Sequence, residues 1–253
     1  MYLRVYLLYI ERKEKSLKCE RIIVENEFKT PLISKTVRFA FVSDLHNDSY
    51  DDLLPVIRTV DAVLVNGDLV DRHSSGNGFD LSIRFLNEVT GICPVFYSVG
   101  NHELKLRQRE AYLNELVNTK AVILDNEDTE FSGIAIGGLT TDLNGKSDTV
   151  FLDRFENGEG YKLLLCHQPE TWNRYVRGRK IDLTLCGHAH GGQIQVAGHG
   201  IFSPGQGLFP KYTHGFYDHG KMLISRGLSN NTCVPRVNNP CELHIVTVSP
   251  DML

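Results

Sequence analysis

The residues best suited to chemistry in this sequence are aspartates, histidines and one asparagine, grouped in five short clusters. In chain order the clusters are Asp44 with His46, Asp68 with Asp71, Asn101 with His102, His167 alone, and His188 with His190. Carboxylate, imidazole and amide ligands without a thiolate suit Mn, Fe, Zn or Co better than a soft metal. Two residues apart on an extended backbone, Asp44 and His46 point the same way, and so do His188 and His190.

Seven of these residues are candidate metal ligands, which is too many for one tetrahedral ion. They are Asp44, His46, Asp68, Asn101, His167, His188 and His190. They fit two transition-metal ions that share one carboxylate. Two metals about 3.5–4 Å apart activate a water molecule and stabilise the leaving oxygen of a phosphoester. The residue types therefore predict a phosphohydrolase.

Each cluster directly follows a short apolar run that is predicted to be a buried strand. These runs are 38–43, 62–66, 95–99, 162–166 and 183–186, and further strands are predicted at 134–138, 193–197, 222–225 and 244–248. Helices are predicted at 50–60, 79–89 and 103–118, with a short one from Pro169 to residue 176. Strands that alternate with helices indicate an α/β fold. Because sites in such folds form beyond the carboxyl ends of the strands, the five clusters are expected to converge.

The composition is that of one ordinary globular domain over residues 1–253. The chain is 42% hydrophobic and 23% charged, and its net charge of −4 gives no sign of a nucleic-acid-binding face. Residues 198–220 are rich in glycine and are predicted to form a loop at the rim of the substrate site. The aromatic and apolar residues of this stretch form either a small core of their own or an apolar lip for a substrate group. They are Phe202, Leu208, Phe209, Tyr212, Phe216 and Tyr217.

The N-terminus is apolar only over residues 1–10, which is too short to span a bilayer. We expect residues 1–37 to be an extension that packs on the domain, and a weak membrane-surface anchor is the alternative. The six cysteines include no CxxC pair, and they are predicted to be reduced thiols. This predicts a cytoplasmic protein, with peripheral contact to the inner face of the membrane as the alternative location.

Taken in order, five short strings resemble the motifs of calcineurin-like metallophosphoesterases. They are DLH (44–46), GDLVD (67–71), GNHE (100–103), His167 and GHAH (187–190). With GHAHGGQI and SRGL (225–228), the pattern is similar to the small bacterial phosphodiesterases related to UDP-diacylglucosamine pyrophosphohydrolases. The resemblance implies a four-layer α-β-β-α sandwich of two mixed sheets flanked by helices. It places the metal site at the C-terminal ends of the strands.

The resemblance also implies a role for each site residue. One metal would be held by Asp44, His46, Asp68 and His190. The second would be held by Asp68, Asn101, His167 and His188, so that Asp68 bridges the two. His102 would act near the leaving group without binding a metal, and Asp71 would orient His102.

The expected reaction is hydrolysis of a phosphodiester or pyrophosphate bond by attack of a metal-bridging hydroxide, on a small-molecule or lipid-linked substrate. Two alternatives stay open: a phosphomonoesterase acting on a phosphoprotein or small molecule, and a metal-binding protein-interaction scaffold of the same fold. Oligomeric state is left open. The remaining histidines fall outside the motifs and are predicted to lie at the surface or in loops. They are His73, His199, His214, His219 and His244.

Overall fold

Two six-stranded mixed sheets form the centre of the molecule, which is described here from a computed structural model that covers residues 19–74, 78–230 and 234–251. The strands of sheet one are β1 (Arg21–Thr30), β2 (Val37–Val42), β3 (Ala62–Asn66), β4 (Val95–Ser98), β5 (Val122–Ile123) and β16 (Cys241–Pro250). Their order is β1-β16-β2-β3-β4-β5. Strands β2 to β5 are parallel, and β16 runs antiparallel to β2 and parallel to β1.

Sheet two is built from the middle and the last third of the chain. Its strands are β6 (Glu127–Phe131), β7 (Ile134–Leu139), β8 (Tyr161–Cys166), β9 (Leu183–Cys186), β14 (Gly215–Tyr217) and β15 (Met222–Ile224). Their order is β14-β15-β9-β8-β7-β6, and the four central strands are parallel. Two small antiparallel hairpins lie between β9 and β14. They pair β10 (Gln195–Val196) with β11 (His199–Gly200), and β12 (Phe202–Ser203) with β13 (Gly207–Leu208).

The alternation of side chains along the strands produces the layers. Val63 and Val65 of β3 face the outer helices, whereas Ala62 and Leu64 face sheet two. Sheet one is covered by helices α1 (Leu54–Ile57), α2 (Asp80–Thr90) and α4 (Arg109–Asn118), with the short α3 (Asn101–Leu104) before α4. Sheet two is covered by α5 (Thr149–Glu156) and by α6 (Pro169–Thr171), which continues as a π-helical turn (Trp172–Val176). The predicted four-layer sandwich is confirmed.

Several local predictions were wrong. The helix predicted at 103–118 is two helices, α3 and α4, and Val117 near its end is 78% exposed. Tyr112 and Leu116 are the residues of α4 that are buried. Strand β1 and helix α5 were not predicted. The sequence of β1 (RIIVENEFKT) has an apolar run of only three residues, because this edge strand exposes much of its surface to solvent.

The N-terminal region differs from expectation at one cysteine pair. Cys19 and Cys241 form a disulfide, so the prediction that all cysteines are reduced is wrong for this pair. The pairing follows from the register, because β1 runs beside β16 with Arg21 opposite Cys241. Residues 1–18, including the apolar stretch 1–10, lie outside the described residues. Within the described part of the chain, no helix is both long enough and apolar enough to cross a membrane.

Candidate metal centre

All five clusters meet at one edge of the sandwich. Strands β2, β3 and β4 of sheet one end at the first three clusters, and β8 and β9 of sheet two end at the last two. Because the carboxyl ends of these strands adjoin, the side chains form groups that could hold a metal ion. The groups are Asp44 with His46 and His190, Asp68 with His167 and His188, and His46 with Asp68 and His102.

The first group joins the cluster after β2 to the end of the 187–190 loop. His190 Nε2 lies 3.5 Å from Asp44 Oδ1 and 3.3 Å from His46 Nε2. The distance from His46 Nε2 to Asp44 Oδ1 is 3.9 Å. Three buried ligand atoms therefore face a common space, as a transition-metal site requires.

The second group lies beside the first, and its Asp68 is close to a histidine of each group. His167 Nε2 is 3.1 Å from Asp68 Oδ2, and His46 Nε2 of the first group is 3.9 Å from the same oxygen. Asp68 is thus the carboxylate that stands between the two groups. The seven predicted ligands are brought together, and their individual roles as ligands stay predictions.

Two buried polar atoms show that the site suits a cation. His188 Nε2 and Asn101 Oδ1 are buried and have no hydrogen-bond partner among the described residues. Burying such an atom without a partner costs about 1–3 kcal/mol, so each needs a ligand from outside the chain. The donor set of imidazole, carboxylate and amide oxygen fits Mn, Fe, Zn or Co. The residues present therefore fit the metal ions that the motifs imply.

Backbone hydrogen bonds to buried carboxylates hold the ligand loops in place. Glu103 accepts from the backbone N–H groups of Asp68 (2.9 Å), Leu69 (2.8 Å) and Gly100 (2.9 Å). It therefore clamps the loop after β3 to the loop after β4. Asp44 in turn accepts from Ser43 Oγ at 2.6 Å and from the His188 backbone N–H at 3.1 Å. These bonds join a ligand of sheet one to a ligand of sheet two.

The ligand backbone itself is strained. Five predicted ligands have left-handed φ angles, which for non-glycine residues cost about 1–2 kcal/mol each. They are Asp44 (56°), His46 (47°), Asp68 (53°), His188 (66°) and His190 (46°). Such strain persists only where the surroundings impose it, and it concentrates at functional sites.

Glycine is required where two of the ligand loops touch. A Cβ on Gly67, which has φ of 73°, would overlap the Cα of Gly100. A Cβ on Gly100 would overlap Asp68 Oδ1. The glycines that precede Asp68 and Asn101 thus allow these two loops to approach each other.

The histidines of the centre differ in pKa. Burial lowers the pKa of His46 to about 3 and that of His188 to about 4, and it also lowers the pKa of His190. His167 behaves differently: burial would lower its pKa, but the attraction of Asp68 and Asp44 and the hydrogen bonds to Asp68 and Asn66 together raise it to about 10. His167 in turn holds the pKa of Asp68 well below its usual range, although burial alone would raise it.

His102 is oriented by the backbone. The N–H of Arg72 donates to His102 Nδ1 at 3.1 Å, so the proton of a neutral ring is on Nε2, which lies 3.9 Å from Asp68 Oδ2. Asp71 Oδ1 is 3.7 Å from Nδ1, which is too far for a hydrogen bond, and it accepts from the His73 N–H instead. The Arg72 N–H is therefore the hydrogen-bond donor to Nδ1, and an orienting role for Asp71 stays a prediction. Burial lowers the pKa of His102, against the pull of Asp68 and Asp71.

Some residues at the centre were not identified from the sequence. Arg236 Nη2 lies 3.0 Å from His190 Nδ1 and donates to the Ser229 carbonyl oxygen at 2.6 Å. His167 Nδ1 donates to the Asn66 carbonyl oxygen at 2.7 Å, which directs its Nε2 towards Asp68. Glu103 had a signal in GNHE, but Arg236 lies 46 residues from the histidine it contacts, and no local pattern marks it.

The apolar residues of 198–220 divide between two environments. Tyr212 and Tyr217 pack with Trp172 on the outer face of sheet two, which is the small-core alternative. Phe202 and Phe209, in contrast, are 49% and 78% exposed. The small-core alternative therefore holds for Tyr212 and Tyr217, and the apolar lip for a substrate group stays a prediction.

Comparison with known proteins agrees with this centre. The sequence model described as calcineurin-like phosphoesterase matches residues 37–199, a span that includes every predicted site residue. The chain belongs to the calcineurin-like phosphoesterase family.

Bacterial relatives cover most of the chain. The uncharacterized protein YpbG of Bacillus subtilis is 29% identical over 219 residues, which are 82% of this chain and 79% of YpbG. The uncharacterized metallophosphoesterase Cj0846 of Campylobacter jejuni is 30% identical over 97% of this chain and 67% of its own length. The phosphodiesterase YaeI of Escherichia coli is 26% identical over 63% of this chain and 62% of YaeI.

Proposed function

We propose that this protein is a dinuclear metal-dependent phosphodiesterase that cleaves a phosphodiester or pyrophosphate bond of a small-molecule or lipid-linked substrate. The observation that carries the proposal is the position of Asp68. Its Oδ2 lies 3.1 Å from His167 Nε2 in one group and 3.9 Å from His46 Nε2 in the other. A shared carboxylate between two ligand groups is the arrangement of a two-metal hydrolase.

Each residue of the centre has a proposed role. When bound, Mn, Fe, Zn or Co ions would acidify water and stabilise charge on the phosphoryl oxygens. Asp44, His46 and His190 would hold one ion and Asn101, His167 and His188 the other, with Asp68 between them. His102 presents its Nε2 proton to the same space and is proposed to donate a hydrogen bond to the departing oxygen, which would stabilise the charge that develops there. Arg72 keeps the ring in that orientation through its N–H.

One relative supports the diester preference over the monoesterase alternative. YaeI carries the name phosphodiesterase and aligns with 63% of this chain. The full ligand set together with His102 favours an enzyme over a protein-interaction scaffold, because a scaffold has no need of a buried, strained ligand backbone.

Metal-dependent hydrolysis tests the proposal. The purified protein is stripped of metal, reloaded with Mn, Fe, Zn or Co in turn, and assayed on bis-p-nitrophenyl phosphate and p-nitrophenyl phosphate. We expect hydrolysis to return with metal, the diester to be preferred, and Asp68→Ala to lose both metal and activity. If the folded, metal-loaded protein hydrolyses neither substrate with any metal, the hydrolase proposal is rejected. A strong preference for the monoester would reject the diesterase.

A further inference from the structure

An apolar cavity opens beside the first ligand group. It has a volume of about 320 Å³, and His190 forms part of its wall. The rest of the wall comes from Gln193, Ile194, Ile201, Phe202, Pro204 and Val234. The Gln193 amide donates to Asn230 Oδ1 at 2.9 Å and to the Val234 carbonyl oxygen, so its polar end is engaged with the chain. A group that enters this cavity from the metal centre meets hydrocarbon.

A second cavity has a mixed wall that is more polar than that of the first. Its volume is about 450 Å³, and its walls include Gln168, Glu170 and Gln206. Gln168 directly follows the predicted ligand His167 in the chain. Glu170 Oε1 is buried and accepts no hydrogen bond from the part of the chain that the structure describes. A buried acceptor of this kind calls for a hydroxyl or amine donor from a ligand.

The β12–β13 hairpin separates the two cavities and lies close to the predicted metal ligand His188. The turn of the β12–β13 hairpin places Pro204 in the wall of the apolar cavity, and Gly205 and Gln206 in the wall of the polar one. A Cβ placed on Gly205 would lie 3.2 Å from His188 Nε2 and 3.3 Å from Glu170 Oε1. The turn therefore sits against the metal centre, with one cavity on each side.

We infer that the substrate is a phosphodiester with two unlike ester groups, an alkyl chain that occupies the apolar cavity and a hydroxyl- or amine-bearing group that occupies the polar cavity. A phosphoryl group at the metals would be the only link between the two ester groups. The inference rests on the proposed two-metal phosphodiesterase, and it adds the chemistry of both substituents. A monoester would leave one cavity without an occupant.

Binding of simple phosphates tests the apolar side without turnover. Calorimetry on the Mn-loaded protein compares the Kd of methyl, butyl and hexyl phosphate. Each CH₂ that enters the cavity should tighten binding about fourfold. We expect Phe202→Ser and Val234→Ser, which change opposite segments of the wall, to flatten this dependence. Phe209→Ser is the matched control, because Phe209 is 78% exposed and does not line the cavity.

The polar side is tested on the same preparations with glycerol phosphate and methyl phosphate, because a methyl group is too short to gain from the apolar cavity. A hydrogen bond from a glycerol hydroxyl to Glu170 should favour the glycerol compound about tenfold. Glu170→Leu should abolish this preference while leaving the chain-length dependence in place. Phe202→Ser should do the reverse. Because each variant is judged by a ratio measured on itself, partial loss of folded protein does not imitate either result.

The possible results separate this inference from the proposed function. Equal Kd values for methyl and hexyl phosphate in the wild type would overturn the alkyl assignment. An unchanged preference for glycerol phosphate in Glu170→Leu would overturn the polar assignment. If both ratios appear as expected but no diester is hydrolysed with any metal, the ligand class stands and the hydrolase fails. If diesters are hydrolysed but neither the chain-length dependence nor the preference for glycerol phosphate is found, the hydrolase stands and this inference fails.

Discussion

The metal centre and the rim of residues 198–220 are built in opposite ways. At the centre, buried side chains hold a strained backbone through several bonds each; Glu103 alone accepts three backbone N–H groups. The strands of the rim are two or three residues long, and many of its side chains are exposed, such as Leu208 at 69% exposure. We therefore expect the centre to determine the chemistry and the rim to determine the substrate. Changes at the centre should have large effects, and changes at the rim small ones.

The largest effect is expected for His102→Ala. Removing a group that donates a hydrogen bond to the leaving oxygen should lower kcat by about 10²–10³-fold while the metals stay bound. Metal content by mass spectrometry and hydrolysis of bis-p-nitrophenyl phosphate measure the two quantities. The structure also groups His102 with His46 and Asp68 as a possible metal site. Loss of a metal ion from His102→Ala would show that His102 is a ligand instead.

Glu103→Gln is expected to weaken the clamp between two ligand loops. The introduced amide N–H₂ would face backbone N–H groups that now donate to the carboxylate, and the free energy of unfolding should fall by about 1–3 kcal/mol. Urea unfolding of the metal-free protein measures this. Glu110→Gln is a suitable control, because Glu110 lies in the first turn of α4 and is not buried. Equal stability of the two variants would contradict the clamp.

Proton release on metal loading should distinguish His167 from the other histidines. With the pKa of His167 near 10 and those of His46 and His188 near 3 and 4, one imidazole is protonated from pH 5 to 8 and must lose its proton to a metal. The other two are already neutral across that range. Proton release from the histidines should therefore stay at about one as the pH falls from 8 to 5. Calorimetry in buffers of different ionisation enthalpy measures the number of protons released. A number that rises towards pH 5 would mean that the pKa values of these histidines are not shifted.

The smallest effect is expected at the rim. Leu208→Ser replaces a side chain that is 69% exposed and lines neither cavity, so the free energy of unfolding should change by less than about 0.5 kcal/mol. Thermal unfolding checks this. A loss of more than about 1 kcal/mol would show that the rim is as tightly built as the centre.

Much of the centre was predictable because its residues follow buried strands directly. The strands before Asp68 and His188 were predicted with the bounds that the structure has, Ala62–Asn66 and Leu183–Cys186. An apolar run of this kind is read from the sequence because both of its faces are buried. His244 shows the limit. It was predicted to lie at the surface, yet it is buried in β16, where Nε2 lies 3.1 Å from Glu242 Oε2 and Nδ1 contacts Asn26.

By itself the sequence determined the chemical types at the centre, their order along the chain and the strands that carry them, because these depend on local composition and spacing. Tertiary structure alone decided that Arg236 meets His190, that Cys19 meets Cys241, and that Pro204 and Gly205 face different cavities. Each of these depends on how distant segments pack in three dimensions. Local periodicity carries no record of such contacts, so only the folded chain reveals them.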